Sequence, residues 1–309
     1  LVEMAAEGGG ALYIAVDVGT SSVRTAVIDG DGRIVSFCSE EIRTWRPSNN
    51  MYEQSSDEVW SCLCTAARKA CSKVNKSNIR GIGYDATCSL VILDGNGNPV
   101  SVTQDQATKR NIILWLDHRA VKEAEFINAK GHDVLKYIGG KISPEMQAPK
   151  ILWLKKNIDV ERWKNISIFL DLPEFLTFKA TGHITRSLCS VVCKFNYMGH
   201  SSQRINGHLG WIPSFWQEIG LSEFVDDNFK RLGGSSVCVP GTQLAQGLSK
   251  EAAHDLDLPT GLPVASSLID AHAGGLGVIG AAIKEELSCE SITSRLAIIS
   301  GTSSCHMAV

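Results

Sequence analysis

Residues 12–24 read LYIAVDVGTSSVR, an apolar run that ends on Asp17 and breaks into the small polar turn Gly19-Thr20-Ser21-Ser22. β-Branched and apolar residues in so short a run predict a buried strand over 12–17. Residues 23–28 (VRTAVI) predict a second strand. Asp29-Gly30-Asp31-Gly32 is a hairpin turn leading into a third strand at 33–38. The chain therefore opens on an antiparallel three-stranded meander.

The tetrapeptide GTSS recurs at 301–304, again directly after an apolar stretch, LAIIS. A strand–turn unit repeated so far apart implies two halves built on one plan. From Arg295 only 15 residues remain, too few for a domain. The expected organisation is a frayed tail over 1–10, a complete first domain over 11–290, and the first strand and loop of a truncated second domain over 291–309.

Between the two copies, residues 55–74 predict a helix. Ser55 with Glu58 forms a capping box, and Val59, Leu63, Ala66, Ala67 and Ala70 recur at helical spacing. Strands are expected at 80–84, 89–93, 262–268 and 295–299, and helices at 117–130, 149–157, 172–181 and 273–282. Residues 189–204 read mostly as loop. Antiparallel strand sets interleaved with helices make this a mixed α/β domain rather than a purely parallel one.

Composition narrows the function classes. The 309 residues are 44% hydrophobic and 20% charged, as in a soluble globular protein. Thirty Lys and Arg against 33 Asp and Glu leave a charge of −3, which offers no general attraction to nucleic acid or anionic membrane. The most apolar stretch, 268–283, is interrupted by Asp270 and His272 and is too short to span a bilayer. The first ten residues lack the basic and apolar regions of a signal peptide. Ten cysteines without CxxC pairs read as reduced thiols of a cytoplasmic protein, and the scattered histidines suggest no metal site.

The chemistry-bearing residues cluster in a few strings. Asp17 ends a buried strand and is followed at once by a turn whose backbone N–H groups and hydroxyls can cradle phosphate oxygens. Asp17 can hold a hydrated Mg²⁺ beside them, and Arg24 can reach a phosphate. The alternative is a plain hairpin turn. Asp270 ends the predicted strand before a Gly-rich helix, where a carboxylate stays ionised and can accept a proton from a hydroxyl, or can serve simply as a helix cap. Trp115-Leu116-Asp117-His118-Arg119 offers a ring face and hydrogen-bonding partners for a sugar, or a core tryptophan entering a helix. Lys194 can reach a polyol oxygen or lie on the surface. Gly275-Leu276-Gly277-Val278-Ile279-Gly280 fits the dinucleotide fingerprint, but five residues separate it from its strand. Glycines for close helix packing are the better reading.

Taken together, YIAVDVGTSSVR, GIGYDATCS, LWLDHRA, SLIDAHAGGLGVIG and GTSSCHM resemble, in order, the FGGY carbohydrate kinases, a sugar-kinase branch of the actin-like ATPases, and most closely its ribulokinase-like members. The resemblance covers nearly all of residues 12–309. It implies an actin-like ATPase (RNase H-like) fold of two domains flanking a cleft, with ATP and Mg²⁺ as cofactors. It implies Mg²⁺ and the transferred phosphate near Asp17, with Thr20, Ser21, Ser22 and Arg24 in the first phosphate loop and Thr302 in the second. It implies Asp270 as the base that activates a sugar hydroxyl. Thr87, Trp115, Asp117 and Lys194, together with Asp270, would contact the sugar. The expected activity is ATP-dependent phosphorylation of a ketopentose or related polyol. Its rival is a truncated, inactive sugar-binding or interaction module. A homodimer is compatible with either.

Overall fold

The computed structural model describes residues 10–103, 109–281 and 291–308. Its strands are β1 (Leu12–Val18), β2 (Ser22–Asp29), β3 (Ile34–Glu41), β4 (Glu53–Gln54), β5 (Ile79–Ala86), β6 (Leu90–Leu93), β7 (Ile112–Ile113), β8 (Ile168–Asp171), β9 (Arg186–Ser187), β10 (Val237–Cys238), β11 (Leu268–Ile269), β12 (Leu296–Ser300) and β13 (Ser304–Ala308). Its helices are α1 (Ser56–Cys71), α2 (Val121–Lys130), α3 (Gln147–Asn157), α4 (Val160–Asn165), α5 (Leu172–Thr181), α6 (Leu188–Lys194), α7 (Pro213–Glu218), α8 (Glu223–Asp226), α9 (Lys250–Leu256) and α10 (Asp270–Ile279). The expected tail at 1–10 lies outside the described residues except for Gly10. So does the expected boundary between 290 and 291 on its N-terminal side.

The meander is present as predicted, and it is part of a mixed five-stranded sheet of order β11-β5-β1-β2-β3. β1 pairs antiparallel with β2 but parallel with β5, and β5 is parallel to β11. The period-2 alternation of β1 sends Ile14, Val16 and Val18 into the core and leaves Tyr13, Ala15 and Asp17 on the other face. Ile82, Tyr84 and Ala86 of β5 line up beside the three buried residues. Val59, Leu63, Ala66, Ala67 and Ala70 of α1 share that core, and each fully buried Val or Leu contributes roughly 1.5–3 kcal/mol.

A second sheet, β4-β7-β6-β8, separates this core from another. In β6 (LVIL) all four residues are buried because both faces are covered. Val91 and Leu93 join the first core, and Leu90 and Ile92 join the second with Phe169, Trp216 and Phe224.

Some boundaries differ from those expected, each for a local reason. Ser55 Oγ accepts from Glu58 N, but the Glu58 carboxylate accepts from Arg43 N, so only half of the capping box forms. The helix expected from 117 begins at Val121, because Asp117 accepts from Arg119 N and folds the chain into a turn first. The strand expected over 262–268 pairs as a ladder only at Leu268–Ile269. Pro263 has no N–H for the ladder, and its carbonyl accepts from Ile82 N instead. The stretch read as loop from 189 starts inside a helix, α6, whose C-terminal residue is Lys194.

The glycines of the dinucleotide-like string make room for a neighbour. A Cβ on Gly275 would overlap the Met307 sulfur, and one on Gly274 would crowd Ile299 at 3.3 Å. The β12–β13 hairpin therefore rests directly on α10. No helix among the described residues is long and apolar enough to cross a membrane, and every described cysteine is a free thiol.

Candidate active site

Parallel pairing decides where the acids lie. Asp17 sits opposite Asp85 in the β1–β5 register, and Asp85 sits opposite Leu268, two residues before Asp270. The C-terminal ends of three adjacent parallel strands thus present Asp17, Asp85 and Asp270 to one place, outside a sheet edge where open α/β sheets bind ligands. All three line a cavity of about 900 Å³. Gly19 and Thr20 of the first GTSS turn line it, as do Gly301, Thr302 and Ser303 of the second. Thr87, Trp115 and Lys194, three more of the expected residues, are also on its wall.

The first turn is closed by Gly19 N donating to Ser22 O at 3.0 Å, and the second by Gly301 N donating to Ser303 O at 2.8 Å. Arg24 also lines the cavity, where its guanidinium donates to Asp17 at 2.7 Å. Both side chains are partly exposed, so the pair adds little stability by itself. It leaves Arg24 positioned beside the acid.

Three expected residues lie elsewhere. Ser21 and Ser22 are not on the cavity wall: Ser21 O accepts from Ile42 N, and Ser22 is already the first residue of β2. Asp117 is fully buried away from the cavity. Its carboxylate accepts from Arg119 Nε, Arg119 Nη2, Arg119 N and Tyr52 N, all within 3.0 Å. With those acceptor sites taken, it holds the turn that precedes α2. Arg119 in turn donates to Glu53 at 3.0 Å, tying the turn to β4.

Burial shapes the charges. It pushes the Asp270 carboxyl up, and Asp17 adds to that, while the Ala271 N–H, Lys194 and Arg24 pull the other way. Asp85 is raised above the usual carboxylate range by burial and by its two acidic neighbours, and it shares a hydrogen bond with Asp17. Burial opposes the charge on Lys194, but Cys88, Cys193 and Asp171 around it outweigh burial and hold the ammonium above the ordinary lysine value. Burial also lowers His272, another wall residue.

Sequence reading missed Asp85, Cys88, Glu145, His272 and Cys305, all on the cavity wall. Asp85 carried a usable signal: GIGYD, like YIAVD, is an apolar strand closing on an aspartate before a small polar turn. The other four are set by tertiary placement. Among the described residues no group of three or more His, Cys, Asp or Glu is arranged to hold a metal ion.

Strand-end carboxylates, two polar loops, a basic residue and an indole thus share the wall of one cavity. The chain belongs to the FGGY family of carbohydrate kinases, whose N-terminal domain model matches residues 12–277. It is 50% identical over 300 residues to the FGGY carbohydrate kinase domain-containing protein of Homo sapiens, covering 96% of this chain and 53% of that protein. It is 40% identical over 314 residues to the D-ribulokinase of Saccharomyces cerevisiae, covering 96% of this chain and 44% of that protein. The chain thus spans about half the length of the curated relatives it matches. The ligand-bound xylulose kinase of Lactobacillus acidophilus shares the fold, with a TM-score of 0.70 at 16% identity over 86% of this chain and 50% of that one. The fold is the actin-like ATPase fold expected from the sequence.

Proposed function

We propose that the protein transfers the terminal phosphate of ATP to a hydroxyl of a ribulose-like ketopentose or a related polyol. The observation that carries this reading is the shared cavity: Gly19 and Thr20 of the first GTSS turn, Gly301, Thr302 and Ser303 of the second, Asp17 and Asp270 line it together with Trp115 and Lys194. In the proposed reaction the acceptor oxygen forms a bond to the γ-phosphorus as the bond to the bridging oxygen of ADP breaks. The hydroxyl proton passes to the Asp270 carboxylate. Because the transition state is loose, Asp270 mainly orients the acceptor, and positioning with charge neutralisation supplies most of the rate. Thr20 and Thr302 offer hydroxyls to the phosphates from the two turns, and Lys194 offers a cation to the polyol.

Asp17 and Asp85 are hard oxygen donors at neighbouring strand ends, a set that suits Mg²⁺, which takes one or two carboxylates and fills its shell with water and phosphate. Bound there, Mg²⁺ would neutralise charge on the phosphates.

The reading is tested by ADP release from ATP with a panel of ketopentoses and polyols, using the protein that carries this chain. ADP formation that depends on one of these acceptors is expected; equal release with and without acceptor would refute the reading. The same assay gives a pH profile. Asp270 must be ionised to accept the proton, and its folded pKa lies above the ordinary aspartate value. Activity should therefore fall with decreasing pH at a point above the usual aspartate range of about 3.9. Activity that stays flat down to about pH 4 would contradict that role.

A further inference from the structure

Among the described residues Lys150, on α3, is the one buried lysine, with no exposed surface. Its Nζ donates to Leu114 O at 2.8 Å. Burial pulls the ammonium down to about 8, and Lys194 acts in the same direction, while Asp117, Cys88 and Asp171 oppose it. A buried amine is costly, and an apolar side chain of similar volume often replaces such a group at no loss of stability. Stability alone therefore does not account for a lysine here.

Its acceptor suggests a reason. Leu114 immediately precedes Trp115, which forms part of the cavity wall. Trp115 N donates to Ser89 Oγ at 3.2 Å, and its indole Nε1 donates to Thr20 Oγ1 at 3.1 Å. The Thr20 carbonyl accepts from the buried Gln54 Nε2 at 2.8 Å. One line of contacts thus runs from α3, through the ring on the sugar side, into the first phosphate turn. Building on the functional reading above, we propose that Lys150 is a positioning residue: as a second donor to the Leu114 carbonyl, which also accepts from Asp117 N at 3.1 Å, it fixes Trp115 as both sugar wall and donor to Thr20. The acceptor and the phosphates are thereby held in one register.

The test is Lys150→Met, read in two ways. The first needs no substrate. By ¹⁵N NMR, exchange of the Trp115 indole N–H should quicken about tenfold, as its hydrogen bond to Thr20 opens more often. The indole of Trp211, bonded to Gly234 O at 2.7 Å, should be unmoved, and the melting temperature should not fall. The second is kinetic. The kcat/KM for D-ribulose should fall about tenfold, with part of the loss in kcat, as expected when the reacting groups lose their alignment. In a Trp115→Phe background the Lys150 substitution should add less than about twofold, since the two residues act as one. If Lys150→Met fails to fold, Lys150→Gln takes its place in both measurements. Unchanged Trp115 exchange, or fully additive kinetic effects, would overturn the proposal. If Trp115 exchange responds but the wild-type protein phosphorylates no polyol, the kinase reading fails and the structural link stands. Turnover in the wild type without an exchange response would leave the kinase reading intact and remove the link through Lys150.

Discussion

Replacing Asp270 by alanine is expected to lower turnover about 10²–10⁴-fold, the usual contribution of a positioned general base. Sugar binding should survive. Asp270 is the first residue of α10, and its Oδ1 accepts from Ala271 N at 2.7 Å. That bond orients the carboxylate without using up its second oxygen, which is left for the acceptor hydroxyl. The cavity wall around it is made by other elements: Trp115 follows β7, Lys194 ends α6, and Thr87 follows β5. Losing one carboxylate therefore leaves the rest of the cavity wall, the surface proposed to hold the sugar, intact. Calorimetric titration of the variant with the preferred acceptor, beside its rate of ADP release, checks both halves. Undiminished turnover would defeat the assignment of Asp270.

Asp117→Ala should act on stability. The Asp117 and Arg119 side chains are both essentially inaccessible, and Asp117 is the main acceptor for the guanidinium. Removing one partner of a buried ion pair leaves a desolvated charge behind and typically costs about 3–5 kcal/mol. Glu53 remains beside Arg119 at 3.0 Å, which puts the expectation at the lower end of that range. Tyr52 N also loses its acceptor. Denaturant unfolding measures the effect. A stability change below about 1 kcal/mol with a large rise in the sugar KM would instead make Asp117 a direct sugar ligand.

The contrast between Asp117 and Asp270 shows what was legible in the sequence. Both are acids at the edge of an apolar string. Asp270, expected at a strand end, directly follows β11 and lines the cavity, among the small residues of SLIDAHAGG. Asp117 stands two residues before Arg119, and local sequence does not reveal that the pair folds inward over β4. The meander, α1 and the repeated GTSS turns were legible because alternation, helical spacing and turn chemistry are local. The parallel pairing of β1 with β5 was not, since it depends on long-range register, and with it went Asp85. The second core was also hidden: a fully apolar strand such as LVIL carries no sign of which neighbour covers each face. The helix that carries Lys194 was not legible, because seven residues offer too little periodicity to register.

In the proposed function, Gly19 and Thr20 on one side and Gly301, Thr302 and Ser303 on the other hold one triphosphate in front of Asp270. A structure of the protein that carries this chain, bound to a ketopentose and a non-hydrolysable ATP analogue, tests it most directly. Phosphates are expected between residues 19–20 and 301–303, with a sugar hydroxyl about 2.6–3.2 Å from the Asp270 carboxylate. A nucleotide held away from either turn, or a sugar bound out of reach of Asp270, would contradict it.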